Sequence, residues 1–156
     1  MLKIVYFVED YAKNEVFLHH HPSHTAMNQR RRKFILALGS NASPDQSMAK
    51  AKELLQEQFG PVAFTPVITT EGIGMVADPF SNCLAYGMTP MTADELTTIL
   101  KQMERDCGDQ PALRAAHQIV MDIDLLLLGR KRYHTDDWNR DYIRRLLAMP
   151  TSKNND

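Results

Sequence analysis

The sequence predicts an α+β domain: a ferredoxin-like βαββαβ antiparallel sheet, with helices on one face and an added C-terminal helix. Three observations predict it. Apolar or β-branched runs of strand length alternate with two segments of helical periodicity. Each helical segment opens on a capping pattern. The first and last apolar runs, Phe34 to Leu38 and Val120 to Leu128, both stop at glycine.

The elements follow in order. Phe34 to Leu38 is wholly apolar and reads as a buried strand entering a Gly39-Ser40-Asn41 loop that lets backbone approach a ligand or simply turns the chain. Ser43, with Pro44 next and Gln46 three residues on, predicts a capping box. Met48, Ala51, Leu55 and Phe59 then recur at helical spacing until Gly60-Pro61. Val62 to Thr70 predicts one strand, Glu71 to Pro79 a loop, and Asn82 to Thr89 a strand weakened by Gly87. Thr92 and Glu95 form a second capping box, ahead of an apolar face of Leu96, Ile99, Leu100, Met103 and Cys107. Val120 to Leu128 is the strongest strand, and an amphipathic segment from Trp138 to Leu147 closes the chain.

Composition narrows the class. The 156 residues, 44% hydrophobic and 24% charged, suit a single globular domain. A net charge of -1 argues against a domain that binds by neutralising nucleic-acid phosphates, and no apolar run nears the ~20 residues of a membrane span. Cys83 and Cys107 form no CxxC pair, which disfavours a disulfide scaffold or a cysteine-based zinc module. A soluble, cytoplasmic, single-domain protein follows, and a monomer is the expectation. Charge is uneven: residues 1–33 carry six basic and three acidic groups, the remainder 12 and 16. Residues 1–32 read as an N-terminal extension, a flexible leader or a product of a start upstream of the true one at Met27. They contain a strand-like run (Leu2 to Val8), His19, His20, His21 and His24, and the Arg30 to Arg32 cluster. Residues 33–150 are the domain and 151–156 a polar tail.

The most informative segment is Met121-Asp122-Ile123-Asp124-Leu125. Alternation along a strand puts Asp122 and Asp124 on one face, roughly 7 Å apart at the backbone for a rise of about 3.3 Å per residue. Continued alternation adds Leu126 and Leu128 to that face. Two carboxylates in apolar surroundings repel each other unless a cation or basic partner compensates, and hard oxygen donors favour Mg²⁺. A wet strand face accounts for a bare DxD as well.

Residues 34–129 resemble the hydroxymethyldihydropterin pyrophosphokinases of folate biosynthesis. ILALGSN (Ile35 to Asn41) is similar to that family's first strand and loop, and MDIDLLLLG (Met121 to Gly129) to its metal-binding strand. Phe80-Ser81-Asn82 fits its aromatic-x-Asn, Thr70 its threonine before the pterin loop, and Glu104 with Gly108 its glutamate before glycine. The resemblance implies diphosphoryl transfer from ATP to 6-hydroxymethyl-7,8-dihydropterin with release of AMP. It implies two Mg²⁺ ions on Asp122 and Asp124, also the catalytic pair. Thr70, Phe80 and Asn82 then bind pterin, with Phe80 stacking on the ring and Asn82 pairing with its edge, and Glu104, Arg114 and Arg144 bind ATP. The small molecules ATP and pterin are the implied partners.

The departures matter equally. The family's basic loop corresponds to Asp109 to Ile119, which keeps one arginine, Arg114, together with His117, and no tryptophan. Ile119 stands where the family has an arginine. The family's Pro-His pair has no counterpart in DDWNRDYI, and His134 comes early for that role. Guanidinium groups are the best bidentate partners of a triphosphate, so their loss weakens the nucleotide site. Two readings follow: a divergent pyrophosphokinase using Arg114, Arg144 or Arg145, or a non-catalytic relative that binds pterin or nucleotide. RNA binding on the sheet is disfavoured, because only Tyr86 offers an exposed aromatic on the central strands.

Overall fold

A computed structural model describes residues 30–72 and 78–152. The Leu2 to Val8 run and the histidine cluster lie outside the described residues, as does the middle of the 71–79 loop. The elements are β1 (Arg32–Ser40), α1 (Pro44–Phe59), β2 (Ala63–Phe64), β3 (Ile68–Thr70), β4 (Phe80–Thr89), α2 (Ala93–Asp106), a short α3 (Pro111–Ala115), β5 (Asp122–Leu128), β6 (Lys131–Arg132), a 3-10 turn (Asp137–Asn139) and α4 (Asp141–Leu147). The sheet is antiparallel in the order β2-β4-β1-β5-β6, and β3 also pairs with β4. The predicted α+β, ferredoxin-like order is present, with β6 added as a two-residue hairpin return.

Side chains leave the two faces of β1 alternately. Phe34, Leu36 and Leu38 join Cys83, Ala85, Ile123 and Leu125 under α1 and α2, whose Met48, Ala51, Leu55, Leu96, Leu100 and Met103 complete the main core. Ile35, Leu84 and Leu126 face the other way and pack on Ile143 and Leu146 of α4. The added helix therefore covers one end of the second face and leaves the other end of that face uncovered by a helix.

Several expectations are corrected. Gly39 and Ser40 belong to β1, not to a loop. Ser43 adopts a left-handed conformation (φ 46°) and its side chain makes no capping bond, so the first capping box does not form; the second, Thr92 with Glu95, does. Val62 to Thr70 divides into β2 and β3 because Pro66 has no N–H to donate. Across the break, the Thr65 N–H donates to the Leu84 carbonyl and the Thr65 hydroxyl accepts from the Leu84 N–H. Leu128 does not share the aspartate face. A β-bulge opposes Ile35 to Leu127 and Leu36 to Leu125, leaving Leu126 as the extra residue. Leu128 thereby packs into the helix-side core, and Leu126 stays with the aspartates.

Candidate active site

The uncovered end of the second face is a hollow of about 320 Å³, and its floor follows from strand register. Gly39 lies opposite Asn82 on one side and Asp122 on the other, and Ala37 lies opposite Asp124. Two small residues on the central strand thus separate an amide from two carboxylates and leave the depression. A Cβ on Gly39 would sit 3.2 Å from Asn82 Oδ1 and 3.8 Å from the Phe80 ring. Thr70, Phe80, Asn82, Asp122 and Asp124 all line this hollow, so five predicted site residues from three strands of the sheet come together. Asn82 is buried and its Nδ2 donates to Thr70 Oγ1 at 2.8 Å, which fixes the direction of the amide.

The carboxylates share a partly desolvated site. Burial first, and then the negative charge of Asp122, push the Asp124 carboxyl up to about 6. Glu104 of α2 lies behind them, 4% exposed, and its Oε1 accepts from the Ile123 N–H at 2.9 Å, between the two aspartates. Lys101 Nζ donates to the same carboxylate at 2.9 and 3.2 Å. Burial also pushes Glu104 up, against the pull of the Ile123 N–H and Lys101.

Arg114 is held by side chains of this site. Its Nε donates to Asp109 Oδ2 at 2.5 Å, and its Nη2 donates to the Met121 carbonyl at 3.1 Å and to Asp122 Oδ1 at 3.2 Å. The segment that follows α3, the helix carrying Arg114, is clamped to the end of β1. Asn41 Nδ2 donates to the His117 carbonyl, Asn41 Oδ1 accepts from the Ile119 N–H, and the Asn41 N–H donates to the Ile119 carbonyl. Asn41 is therefore a structural residue just beyond the end of β1. Arg144 is exposed on α4 and does not line the hollow; Arg140, four residues earlier, does, together with Asp137 and Tyr142. Arg140 Nε donates to Asp137 Oδ1 at 2.8 Å. His134 reaches the same rim, its Nε2 3.8 Å from Asp124 Oδ1.

Sequence reasoning missed Arg140, Asp137, Tyr142, Lys101 and Asp109. Lys101 is one helical turn from Glu104, a spacing that signals an ion pair. Asp109 lies in the turn between α2 and α3, and Asp137, Arg140 and Tyr142 depend on how the 3-10 turn and α4 fold back, for which the sequence carries no periodic signal.

Among the described residues, no group of three or more His, Cys, Asp or Glu side chains is arranged to hold a metal ion. Two adjacent carboxylates fit a hard cation that keeps waters or takes phosphate oxygens for its remaining positions, which is the habit of Mg²⁺. No described helix is long and apolar enough to cross a membrane.

A search among curated proteins finds no match. The family described as 7,8-dihydro-6-hydroxymethylpterin-pyrophosphokinase (HPPK) matches residues 35–153, which takes in every strand and helix described above except the first three residues of β1. With that match over most of the chain, and with the family's two motifs meeting at one hollow, the chain belongs to the 7,8-dihydro-6-hydroxymethylpterin-pyrophosphokinase family.

Proposed function

We propose that this chain transfers the β,γ-diphosphoryl group of ATP to the hydroxymethyl group of 6-hydroxymethyl-7,8-dihydropterin and releases AMP. The observation that carries the reading is the shared hollow, in which Asp122 and Asp124 stand across Gly39 and Ala37 from Asn82, Thr70 and Phe80. Phe80 offers a ring face to a flat heterocycle, and Asn82 offers a carboxamide edge directed by Thr70. A pterin seated there directs its hydroxymethyl group toward the aspartates.

Asp122 and Asp124 would hold a pair of Mg²⁺ ions, which supply charge neutralisation around the phosphates and orient the attacking hydroxyl. The protein's own part is alignment. Glu104 anchors the backbone between the two aspartates, and Arg140 and His134 give the rim positive or protonatable groups where polyphosphate must lie. We take the enzyme to work as a cytoplasmic monomer.

A second reading, pterin or nucleotide binding without turnover, draws on one observation. The segment that supplies several arginines in the family supplies Arg114 alone, and Arg114 is engaged by Asp109 and Asp122. Incubation of the protein with ATP, Mg²⁺ and reduced hydroxymethylpterin separates the two. AMP formation dependent on the pterin supports the enzyme. Tight pterin binding with neither AMP formation nor nucleotide binding at millimolar ATP supports the other.

A further inference from the structure

We propose that Arg114 is a built-in counter-ion that competes with the divalent cation for Asp122, so that the cation must displace it to bind. The inference rests on the reading of Asp122 and Asp124 as cation ligands and adds the residue that sets their affinity. Arg114 is not at a phosphate-facing position by default. Its guanidinium spans from Asp109 Oδ2 (2.5 Å) to Asp122 Oδ1 (3.2 Å), takes the Met121 carbonyl on the way, and lies 3.7 Å from Glu104 Oε2.

Charge explains the arrangement. Four carboxylates gather here: Glu104, Asp109, Asp122 and Asp124. Two fixed cations face them, Lys101 on Glu104 and Arg114 on Asp109 and Asp122, with Glu104 Oε2 also within 3.7 Å of Arg114. The balance with all groups ionised is two negative charges, which one divalent cation cancels. Without Arg114 the deficit would be three, and two adjacent aspartates would repel each other more strongly. Asp109 gives the guanidinium a place to remain when it leaves Asp122. It is almost fully buried, and its Oδ1 has no hydrogen-bond partner within the protein. Arg114 can therefore keep its Asp109 bond while giving up the one to Asp122.

The test uses the full chain and Mn²⁺ alone, with neither nucleotide nor pterin, following the electron paramagnetic resonance signal of free Mn²⁺. Arg114→Gln should bind Mn²⁺ tighter on the order of tenfold, because a positive charge near the bound cation is removed. Arg114→Lys keeps the charge and should stay within about twofold of the parent. Weaker or unchanged binding by Arg114→Gln would mean that Arg114 only positions Asp122, and the proposal fails. An equal gain in Arg114→Lys also overturns it, since charge would not be the cause. On the unmodified ¹⁵N-labelled protein, saturation with diamagnetic Mg²⁺ should shift the Arg114 Nε–H resonance; no shift overturns the proposal whether or not the variants fold. If the parent and Arg114→Gln both fail to bind Mn²⁺, the cation site itself is lost, and this inference with it. Pterin-dependent AMP formation tests the enzyme assignment separately.

Discussion

Glu104 reaches from α2 to the unpaired edge of β5, and its Oε1 accepts the Ile123 N–H at 2.9 Å between the two aspartates, in a buried bond. β6 pairs with β5 only at Leu127 and Leu128, so this backbone donor has no neighbouring strand. Glu104→Ala leaves it buried without a partner and frees Lys101, at an expected cost of about 1–3 kcal/mol. Glu104→Gln keeps an acceptor and should recover part of that loss. Denaturant unfolding measures both; equal destabilisation would show that the ion pair with Lys101, not the backbone bond, is what matters.

The aspartate pair predicts a pH dependence whose sign is fixed by the raised Asp124 carboxyl. Between the ordinary carboxylate value and about 6, the folded protein holds a proton that the unfolded chain has released. Asp124 therefore favours the folded state most at low pH, and that contribution is lost as pH rises through about 6. Asp124→Asn should raise the stability of the cation-free protein at pH 7.5 by on the order of 1–2 kcal/mol, after allowance for solvent screening. Cation binding requires the ionised form, so Mg²⁺ affinity should fall about tenfold per unit below the Asp124 value. Thermal melts with and without Mg²⁺ from pH 5 to 8 check both signs. Asp122→Ala or Asp124→Ala should abolish Mg²⁺-dependent nucleotide binding with the fold intact, and an Asp124→Ala variant that binds Mg-ATP like the parent removes the metal-site reading.

How far the sequence carries can be followed at Gly87 and Leu128. The apolar periods of β1, α1, α2 and β5 locate the core, because burial imposes a period of 2 or 3.6 that one chain displays by itself. Gly87 reads in sequence only as a weak point of a strand. In the fold it lies opposite Phe34, and a Cβ there would overlap the Phe34 ring. Its reason is a tertiary contact that no local pattern encodes. The displacement of Leu128 by the bulge is of the same kind, since register belongs to two strands at once. The site divides likewise: the strand-borne residues Asp122, Asp124, Asn82 and Phe80 are legible, whereas Arg140 and His134 come into range only through the return of the chain after β5. Gly87→Ala should destabilise by about 1–3 kcal/mol through overpacking, read from the shift of the urea midpoint, while Gly87→Ala with Phe34→Leu should recover most of it.

Gly39 gives a prediction that bears chiefly on function. It forms the floor between Asn82 and Asp122, and a larger side chain there would project into the hollow. Gly39→Val keeps β-propensity but crowds the buried Asn82 oxygen, 3.2 Å from where its Cβ would stand, and should lower the melting temperature by a few degrees, while pterin binding should fall by on the order of a hundredfold, since overlap with a ligand has no room to relax. Pterin fluorescence quenching measures it. Undiminished affinity would place the pterin elsewhere than this hollow.

Arg140 and Arg144, four residues apart at the start of α4, should contribute differently to nucleotide binding. Arg144 is the basic residue that sequence counting selects for ATP, yet it does not line the hollow, while Arg140, also exposed, stands at the start of that helix on the wall of the hollow. Arg140 is bound to Asp137, a single carboxylate at the rim, and a triphosphate offers it more charge and a bidentate partner. Arg140→Ala should therefore weaken Mg-ATP binding about tenfold or more, and turnover with it, because a charge-assisted contact is roughly twice as strong as a neutral one. Arg144→Ala should stay close to the parent. Pterin affinity should remain unchanged in both, since it depends on Phe80 and Asn82. Nucleotide titration by calorimetry distinguishes the two arginines directly. A loss confined to Arg144→Ala would return the nucleotide site to the outer surface of α4, and Arg140 would then be only the partner of Asp137.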